Sequence, residues 1–252
     1  MAEKSLGGKV ALITGASKGL GKAMAVALGD AGASLALVAR GREQLEQVAA
    51  QVRAGGAEVD VFPADVTSTE QVAALEQQVI GRFAKLDILI NNAGINIRKG
   101  ITEASLEDWM AVIDTNLTSV FLMCHSFVPH MKGRGYGRII NLTSIMSWVS
   151  LPGRVAYSAS KAGLLGMTRA LALELAPEGI TCVGISPGPF ATEMNTALIE
   201  NPELNAQFMA RVPLKRWGKV EEIGALAVYL CSEGAGYITG TDILIDGGWT
   251  AQ

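Results

Sequence analysis

Short apolar runs alternate with longer amphipathic segments along the whole chain. Each run consists mainly of Val, Ile and Leu with little polar alternation, which is typical of strands in a sheet that is covered on both faces. The pattern predicts seven strands, at Lys9–Thr14, Ser34–Ala39, Glu58–Phe62, Asp87–Asn91, Arg138–Asn141, Thr181–Ser186 and Ile243–Asp246.

Between the strands, apolar residues recur at spacings of three and four, which predicts helices. The predicted helices are Gly19–Ala31, Arg42–Ala54, Ser68–Phe83, Leu106–Met131, Val155–Ala176 and Val220–Cys231. Strands that alternate with helices predict an α/β fold with a doubly wound parallel sheet and right-handed crossovers. No linker or repeat interrupts the pattern, so we predict a single domain over residues 1–252.

The composition indicates a large apolar core and excludes several classes of protein. Of 252 residues, 49% are hydrophobic and 18% are charged, with a net charge of −3. No run of Lys and Arg is long enough to follow a nucleic-acid backbone, so we expect no nucleic-acid partner. No apolar stretch approaches the ~20 residues of a membrane-spanning helix, and the N-terminus lacks a signal-peptide pattern. We therefore expect a cytoplasmic protein without a membrane partner.

The cysteines and histidines give no sign of a disulfide framework or a metal site. Cys124, Cys182 and Cys231 are far apart and include no Cys-x-x-Cys pair, which is compatible with a reducing compartment. His125 and His130 are the only histidines and have no carboxylate at metal-ligand spacing. We therefore expect no metal.

The first predicted strand runs directly into a glycine-rich turn and then a helix. The turn reads Thr14-Gly15-Ala16-Ser17-Lys18-Gly19-Leu20-Gly21. In this position, backbone N–H groups and the helix N-terminus meet a pyrophosphate without obstruction from a Cβ. A P-loop is the alternative, but Ala16 stands where that motif needs its first glycine and Ala23 where it needs Ser or Thr. The turn therefore predicts a dinucleotide site.

The charges after the second strand indicate which nicotinamide dinucleotide binds. A carboxylate there would bind a ribose 2′-hydroxyl and repel a 2′-phosphate. This chain has Ala39 at that position, followed by Arg40 and Arg42, and Lys18 lies in the glycine-rich turn. Cations suit a 2′-phosphate, although a solvated basic helix start would look the same. We predict that NADP(H) is preferred, with NAD(H) as the alternative.

Polar residues also follow the third and fourth strands, outside the carboxyl ends where such sheets bind ligands. Asp65-Val66 follows the third strand, and Asp65 is placed to bond the adenine edge. Asn91-Asn92-Ala93-Gly94 follows the fourth strand. Asn91 either belongs to the ligand site or ties neighbouring strands together, and the sequence leaves both interpretations open.

Tyr157 and Lys161 lie one helical turn apart, with Ser144 thirteen residues before Tyr157. Residues at this spacing face the same side of a helix, with Cβ atoms ~6 Å apart. A lysine ammonium there would favour the phenolate and lower the tyrosine pKa from about 10. The pair also occurs by chance on many helices. Together with the glycine-rich turn, the Tyr157–Lys161 pair predicts transfer of a hydride and a proton between a nicotinamide and a carbonyl or alcohol.

These motifs together resemble the short-chain dehydrogenase/reductase family over essentially the whole chain. The resemblance is carried by Thr14-Gly15-x-x-x-Gly19-x-Gly21, Asn91-Asn92-Ala93-Gly94, Asn116, Ser144, Tyr157-x-x-x-Lys161 and Pro187-Gly188. It implies an oxidoreductase with a Rossmann-type fold, and a homotetramer in which helices like Leu106–Met131 and Val155–Ala176 pair across subunits.

The resemblance also implies a catalytic tetrad of Asn116, Ser144, Tyr157 and Lys161. Tyr157 would be the general acid or base, Ser144 would hold the substrate oxygen, Lys161 would bind the nicotinamide ribose and bias Tyr157, and Asn116 would order a water. The predicted cofactor-binding residues are Gly15, Ser17, Lys18, Gly19, Leu20, Gly21, Arg40, Asp65, Val66, Asn92, Ala93, Gly94, Tyr157, Lys161, Pro187, Gly188 and Thr192.

The sequence leaves more than one class of substrate open. Within the family, the chain resembles sugar-acid reductases most, with 3-oxoacyl-carrier-protein reductases as the alternative. If Arg98 or Arg154 points inward, it would bind a carboxylate, whereas an apolar wall alone would favour a hydrophobic ketone. A binding-only scaffold that senses NADP(H) is a remote alternative, since the tetrad is kept. The predicted pocket residues are Asn96, Arg98, Met146, Trp148, Leu151, Arg154, Phe190 and Met194.

Overall fold

The computed structural model describes residues 4–252, with the side chains of Met194 and Ala197 outside the described part. Seven parallel strands form one sheet in the order β3-β2-β1-β4-β5-β6-β7. The strands are β1 Val10–Thr14, β2 Ser34–Ala39, β3 Val59–Pro63, β4 Ile88–Asn91, β5 Gly137–Leu142, β6 Ile180–Pro187 and β7 Asp242–Ile245. The predicted fold class is confirmed, and each predicted strand end lies within one residue of the observed one.

Helices cover both faces of the sheet. They are α1 Gly19–Asp30, α2 Arg42–Ala54, α3 Thr69–Phe83, α4 Leu106–Ile113, α5 Ser119–Phe127, α6 Val155–Leu175, α7 Thr196–Ile199, α8 Pro202–Met209 and α9 Val220–Cys231. On β1, Ala11 and Ile13 belong to the core on one face, and Val10 and Leu12 to the core on the other. Because both faces are buried, the strand sequences show no polar alternation.

The strand order reverses between β1 and β4, which are direct neighbours in the sheet. The connections after β1 and β4 therefore leave the sheet in opposite directions and open a crevice at the carboxyl ends of the strands. The glycine-rich turn follows β1 and Asn91-Asn92-Ala93-Gly94 follows β4. Both motifs consequently lie at this crevice.

The predicted helix Leu106–Met131 is interrupted by a π-helical turn. Helix α4 ends at Ile113, the π-helical turn covers Asp114–Thr118, and α5 is followed by a 3₁₀ turn at Val128–His130. π-helical turns inside α-helices occur frequently at functional sites. Asn116 lies in the middle of this turn, so the interruption coincides with a predicted catalytic residue.

The same helical stretch corrects one expectation about apolar length. Leu106–His130 runs for 25 residues with a mean hydropathy of 1.3 over its most apolar window, so it is long and apolar enough to cross a membrane. The sequence pattern predicts no apolar stretch of that length. Core helices meet the same two criteria, and 44% of that window is already buried within the chain. The stretch is therefore weak evidence for a membrane span.

Helices α7 and α8, between β6 and β7, were not predicted. Helix α8 has a recognisable start, because the Asn201 side chain accepts from the Leu204 N–H at 3.1 Å and Pro202 occupies its first turn. Both features favour a helix start. Phe208, near the end of α8, stacks on Trp217 and packs against Trp249. These aromatic contacts join the segment to the C-terminus of the chain.

Candidate active site

The glycine-rich turn has a shape that only glycines allow. Gly15 and Gly19 adopt positive φ angles of 63° and 54°, a region that other residues rarely adopt. A Cβ at Gly21 would overlap the Gly15 carbonyl oxygen. Helix α1 begins at Gly19, so its free N–H groups face the space above the turn. This is a cradle that side chains would fill, and it fits a pyrophosphate.

The asparagines after β4 hold the crevice together. The Asn92 amide donates to the carbonyl oxygens of Thr14 and Gly15 at 2.9 and 3.1 Å, while the Thr14 hydroxyl accepts from the Asn92 and Ala93 N–H groups at 3.0 Å each. The side chain of Asn92 therefore braces the turn, and a contact of Asn92 with the cofactor stays a prediction. Asn91 donates to Asn141 Oδ1 at 2.9 Å and so ties β4 to β5.

Cations surround the predicted adenosine end of the crevice. Arg40 and Lys18 are exposed, and neither forms an ion pair within residues 4–252, whereas Arg42 pairs with Glu46 at 4.0 Å. Hydrogen bonds from Thr67, followed by the positive charge of Arg40, lower the pKa of Asp65. Val66 is buried beside it. The placement of Asp65 and Arg40 next to each other agrees with a shared role at one end of a dinucleotide.

Ser144, Tyr157 and Lys161 meet where β5 ends against helix α6. Ser144 follows β5, is buried, and accepts from the Met146 N–H at 3.1 Å, which fixes the 3₁₀ turn Ile145–Ser147. Tyr157 is partly exposed to the crevice. Lys161 is buried, and its ammonium donates to the Leu142 carbonyl at 2.5 Å. The predicted grouping of these three side chains is thus present in the fold.

The electrostatics of this group differ from the sequence prediction. Burial raises the pKa of Tyr157, and the hydrogen bond from Ser144 and the charges of Arg154 and Arg98 partly offset that effect. The Lys161 ammonium lies 5.8 Å from the centre of the Tyr157 ring and is directed at a carbonyl. Burial also lowers the pKa of Lys161 to about 8. The Tyr157 pKa is therefore raised and not lowered as the helical spacing predicts, and Arg154 and Arg98 are the cations that partly offset the effect of burial.

Asn116 occupies the π-helical turn beside Lys161. Its side chain accepts from the Ile95 N–H at 2.8 Å and donates to the Ile95 carbonyl at 2.9 Å and to the Ser160 hydroxyl at 3.1 Å. A Cβ at Gly94 would lie 3.2 Å from Asn116 Oδ1 and 3.7 Å from Lys161 Nζ. Asn116 thus fixes the chain after β4 directly above Lys161, and Gly94 keeps that space open.

The segment after β6 closes over the glycine-rich turn. Pro187 ends β6, and a Cβ at Gly188 would lie 2.6 Å from the Asp246 Cα. A Cβ at Gly19 would lie 3.5 Å from a Glu193 carboxylate oxygen and 3.7 Å from Thr192 Cγ2. Thr192 therefore lies beside the predicted cofactor site, as expected. Glu193 next to it was not predicted, and no motif in the sequence distinguishes it.

Three predicted pocket residues lie on the segments that follow β4 and β5. Asn96 Oδ1 is buried and has no hydrogen-bond partner among the described residues, so it is available to a ligand. Met146 and Leu151 pack against a small apolar cluster of Ile145, Val212 and Trp249. The contact between Phe208 and Trp249 in this part of the fold was missed because neither residue carries a motif and only the fold brings them together.

Two predicted pocket residues, Trp148 and Phe190, contact other parts of the fold. The Trp148 indole donates to Asp242 Oδ2 at 2.7 Å, and Arg169 lies 5.8 Å from its ring. The Phe190 ring is buried in the core and packs on Gly218. The contacts found for both side chains are therefore with other parts of the fold, and their assignment to the pocket stays a prediction. The side chain of Met194, a further predicted pocket residue, lies outside the described residues.

The donor groups of the crevice fit a nicotinamide dinucleotide better than a metal. The glycine-rich turn and the helix start at Gly19 offer backbone N–H groups for a pyrophosphate, and Arg40 and Lys18 offer positive charge. Within residues 4–252, no group of three or more His, Cys, Asp or Glu side chains is placed to hold a metal ion.

Known proteins share both the sequence and the fold. The sequence profile described as enoyl-(acyl carrier protein) reductase matches residues 15–250. A 3-oxoacyl-[acyl-carrier-protein] reductase from Synechocystis is 39% identical over 97% of this chain and 98% of that protein. The corresponding reductase from Staphylococcus aureus is 37% identical over 95% of this chain and 97% of its own length.

Solved structures extend the comparison. A protein from Agrobacterium tumefaciens, provisionally described as a gluconate dehydrogenase, superposes with a TM-score of 0.95 at 39% identity over 99% of this chain and 98% of its own. A second protein from that organism, provisionally described as a 2-deoxy-D-gluconate 3-dehydrogenase with bound NADP, gives a TM-score of 0.91 at 34% identity over 100% of both chains. This chain belongs to the short-chain dehydrogenase/reductase family and is an oxidoreductase of CH–OH and C=O groups.

Proposed function

We propose that the protein is an NADP(H)-preferring ketoreductase that interconverts a ketone and a secondary alcohol, with Tyr157 as the general acid or base. The observation that carries this proposal is the grouping of Ser144, Tyr157 and Lys161 at the crevice beside the glycine-rich turn. NADP(H), when bound, supplies or accepts the hydride. The protein then has to orient the carbonyl and move one proton at its oxygen.

In reduction, the Tyr157 hydroxyl donates its proton to the substrate oxygen and Ser144 donates a hydrogen bond to the same oxygen. The raised pKa of Tyr157 keeps the phenol protonated before the reaction. Lys161 would hold the nicotinamide ribose, and the buried amine has its pKa near 8, so it can also exchange protons near neutral pH. Asn116 holds the chain after β4 over Lys161.

The proposal that NADP(H) is preferred rests on Arg40 and Lys18, which are exposed cations without an ion-pair partner in the described part of the chain. Ala39 leaves no carboxylate at the end of β2 to repel a 2′-phosphate. The likeness to a structure with bound NADP supports the same choice. We propose that Arg40 binds the 2′-phosphate and that Asp65 bonds the adenine edge.

We propose that the substrate carries an acidic group. Arg154 is half-buried, and burial followed by the positive charge of Arg98 lowers its pKa. Neither arginine forms an ion pair within residues 4–252, and both act electrostatically on Tyr157. The loops that carry them touch, because a Cβ at Gly153 would lie 3.6 Å from the Lys99 carbonyl oxygen. Two unpaired guanidiniums beside the phenol favour a carboxylate, such as that of a keto-sugar acid.

A 3-oxoacyl-carrier-protein substrate is the second candidate, favoured by the curated relatives. It is also favoured by a cavity of about 240 Å³ near the start of α6, lined mainly by apolar side chains such as Ile97, Trp109 and Val155. An acyl chain would suit such a cavity. The two candidates differ in whether the arginines or the apolar cavity dominate recognition.

The first experiment is a panel of carbonyl substrates with NADPH and NADH, covering keto-sugar acids, 3-oxoacyl thioesters, diketones and aryl ketones. We expect turnover with NADPH to exceed turnover with NADH, and 5-ketogluconate to be among the best substrates. No reduction of any carbonyl by a protein that binds NADPH tightly would contradict the proposal and favour a non-catalytic NADP(H)-sensing scaffold.

The substrate class is tested by Arg98→Ala and Arg154→Ala. The loss of a charged hydrogen bond costs about 1.5–3 kcal/mol, so we expect kcat/KM on 5-ketogluconate to fall by about 10- to 100-fold, with little change on an uncharged ketone. Lys132→Ala removes one exposed charge at the other end of the sheet and is the matched control. An unchanged kcat/KM on 5-ketogluconate for both arginine variants would contradict the proposed carboxylate recognition and favour the 3-oxoacyl substrate.

We also propose a homotetramer built on helices α4–α5 and α6. Apolar side chains on these helices are unusually exposed, with Leu106 at 70%, Phe121 at 55% and Leu173 at 81%. Light scattering of the parent and Phe121→Asp tests this, and a monomeric parent would contradict it. A cytoplasmic location and one domain over residues 1–252 stay predictions.

A further inference from the structure

An aspartate on the edge strand β7 faces the end of the catalytic strand β5. Asp242 begins β7 and pairs with Gly184 on β6. A Cβ at Gly184 would overlap a carboxylate oxygen of Asp242, so the glycine makes room for the carboxylate to lie across β6. Its acceptor oxygens then reach residues beyond the neighbouring strand.

Three donors converge on this carboxylate. The Thr143 hydroxyl lies 2.6 Å from Oδ1, the Ser186 hydroxyl donates to Oδ2 at 2.6 Å, and the Trp148 indole N–H donates to Oδ2 at 2.7 Å. The Thr143 hydroxyl also lies 2.7 Å from the Ile185 carbonyl, so its single proton is shared between two acceptors. The Trp148 N–H bonds to Asp242 alone among the described residues. The carboxylate is therefore the common acceptor of three separate segments.

Each segment leads directly to the proposed active site. Thr143 is adjacent to Ser144, and Ser186 precedes Pro187-Gly188, where β6 ends at the cofactor crevice. Trp148 belongs to the loop between Ser144 and α6, and Ser147 in that loop donates to the Lys161 carbonyl at 3.0 Å. Asp242 thus holds one side of this loop while α6 holds the other.

We propose that Asp242 is a positioning residue, which sets Ser144 through Thr143 and sets the substrate loop through Trp148. The proposal rests on the ketoreductase function above, since it needs Ser144 to hold the substrate oxygen. Asp242 does not touch the substrate. The simpler interpretation is that a strand carboxylate adds only stability, and the two interpretations differ in how kcat and KM change.

The test is Asp242→Asn, which keeps the size of the side chain but replaces one acceptor oxygen with an amide donor. That donor faces hydroxyl and indole donors, so at least one of the three bonds is lost. Small displacements of reacting groups cost up to about 100-fold in rate, and we expect kcat to fall about tenfold and KM to rise about threefold. NADPH binding, measured by fluorescence titration, should stay within about twofold, and kcat is expressed per NADPH-binding site.

Further variants separate the connection through Thr143 from the connection through Trp148. Thr143→Val should lower kcat with KM held, whereas Thr143→Ser, which keeps the hydroxyl, should restore kcat. Trp148→Phe deletes only the indole donor and should raise KM with kcat held. Asp60→Asn, on the opposite edge strand β3 and paired with Arg82, is the matched control and should change neither constant.

Two results would overturn the proposal. One is an Asp242→Asn enzyme whose kcat and KM both equal those of the parent. The other is a loss of stability and of NADPH-binding sites with unchanged constants per remaining site, which is the behaviour of a residue that only stabilises the fold. Tyr157→Phe is measured in parallel, because turnover that survives this change refutes the ketoreductase mechanism itself, independently of Asp242.

Discussion

The cofactor half of the crevice and the substrate half are built in different ways. The cofactor half is shaped by backbone, with positive φ angles at Gly15 and Gly19 and a carbonyl that leaves no room for a Cβ at Gly21. The substrate half is shaped by side chains from distant segments, such as Met146, Leu151 and the cluster around Trp249. Backbone shape tolerates few substitutions, whereas a wall of side chains can be changed without loss of the fold. One scaffold can therefore keep its cofactor and vary its substrate.

The largest effect on turnover is expected at Tyr157, which lies where the cofactor half and the substrate half meet. Tyr157→Phe removes the proposed proton donor and leaves the glycine-rich turn unchanged. General acid–base catalysis contributes about 10²- to 10⁴-fold, so we expect kcat to fall by that factor while the Kd for NADPH stays constant. Steady-state kinetics and fluorescence titration check the two parts.

Ala159→Gly is a suitable control for Tyr157→Phe, because Ala159 is an exposed residue of α6 between Tyr157 and Lys161. It should lose some stability and retain most of the turnover at 25 °C. Parent-like turnover in Tyr157→Phe would mean that the phenol is not the proton donor and that the chemistry lies elsewhere in the crevice.

The difference between the halves also explains what the sequence could predict. The glycine-rich turn and the seven strands follow local patterns, because steric limits on the backbone act over a few residues. The tetrad of Asn116, Ser144, Tyr157 and Lys161 is instead implied by the resemblance to the family. The assignment of Trp148 and Phe190 to the pocket rests on their position in loops near the site. Their actual partners, Asp242 and Gly218, are 94 and 28 positions away in the chain, and no periodicity encodes such contacts.

The pKa of Lys161 shows the same limit of prediction from the sequence. Spacing alone suggested an ammonium that acts on the phenol of Tyr157. The fold instead buries the amine against the Leu142 carbonyl, so desolvation dominates its pKa. Spacing on a helix predicts which side chains share a face, but burial and the identity of the nearest acceptor are properties of the packed structure.

Burial of Lys161 predicts a pH dependence of stability. The folded pKa is about 8, compared with 10.5 for an ordinary lysine. Between these values the unfolded chain binds a proton that the folded chain does not, so this residue makes stability rise with pH across the window, by about 3 kcal/mol. Urea unfolding of the cofactor-free protein between pH 8 and 10.5 measures it.

Lys161→Met is the reference for that measurement, because other groups also titrate in the window. The difference between the parent and Lys161→Met isolates the contribution of the amine. A difference that stays flat from pH 8 to 10.5 would show that Lys161 keeps its ordinary pKa in the folded protein.

Gly21→Ala should damage the cofactor half alone. The added methyl group overlaps the Gly15 carbonyl oxygen, so the turn must shift. Overpacking of this kind costs about 1–3 kcal/mol, and we expect the affinity for NADPH to fall by about 5- to 100-fold. The same substitution at Gly81 in α3 meets no atom within 4 Å and should stabilise the helix. Equal effects of the two variants on NADPH binding would contradict the close fit of the turn.

The last prediction changes which cofactor is preferred without damage to the site. Ala39→Asp with Arg40→Leu places a carboxylate at the end of β2 and removes the guanidinium proposed to bind the 2′-phosphate. One charged hydrogen bond is worth about 1.5–3 kcal/mol, so the ratio of kcat/KM for NADPH to that for NADH should fall by about 10- to 100-fold. Arg42→Leu is the matched control, because Arg42 already pairs with Glu46, and its ratio should stay near that of the parent.

If the parent uses both cofactors equally, Arg40 does not bind the phosphate. If the double variant loses affinity for NADPH without gaining any for NADH, the end of β2 repels a phosphate but does not reach the ribose, and recognition of the adenosine depends on Asp65 instead.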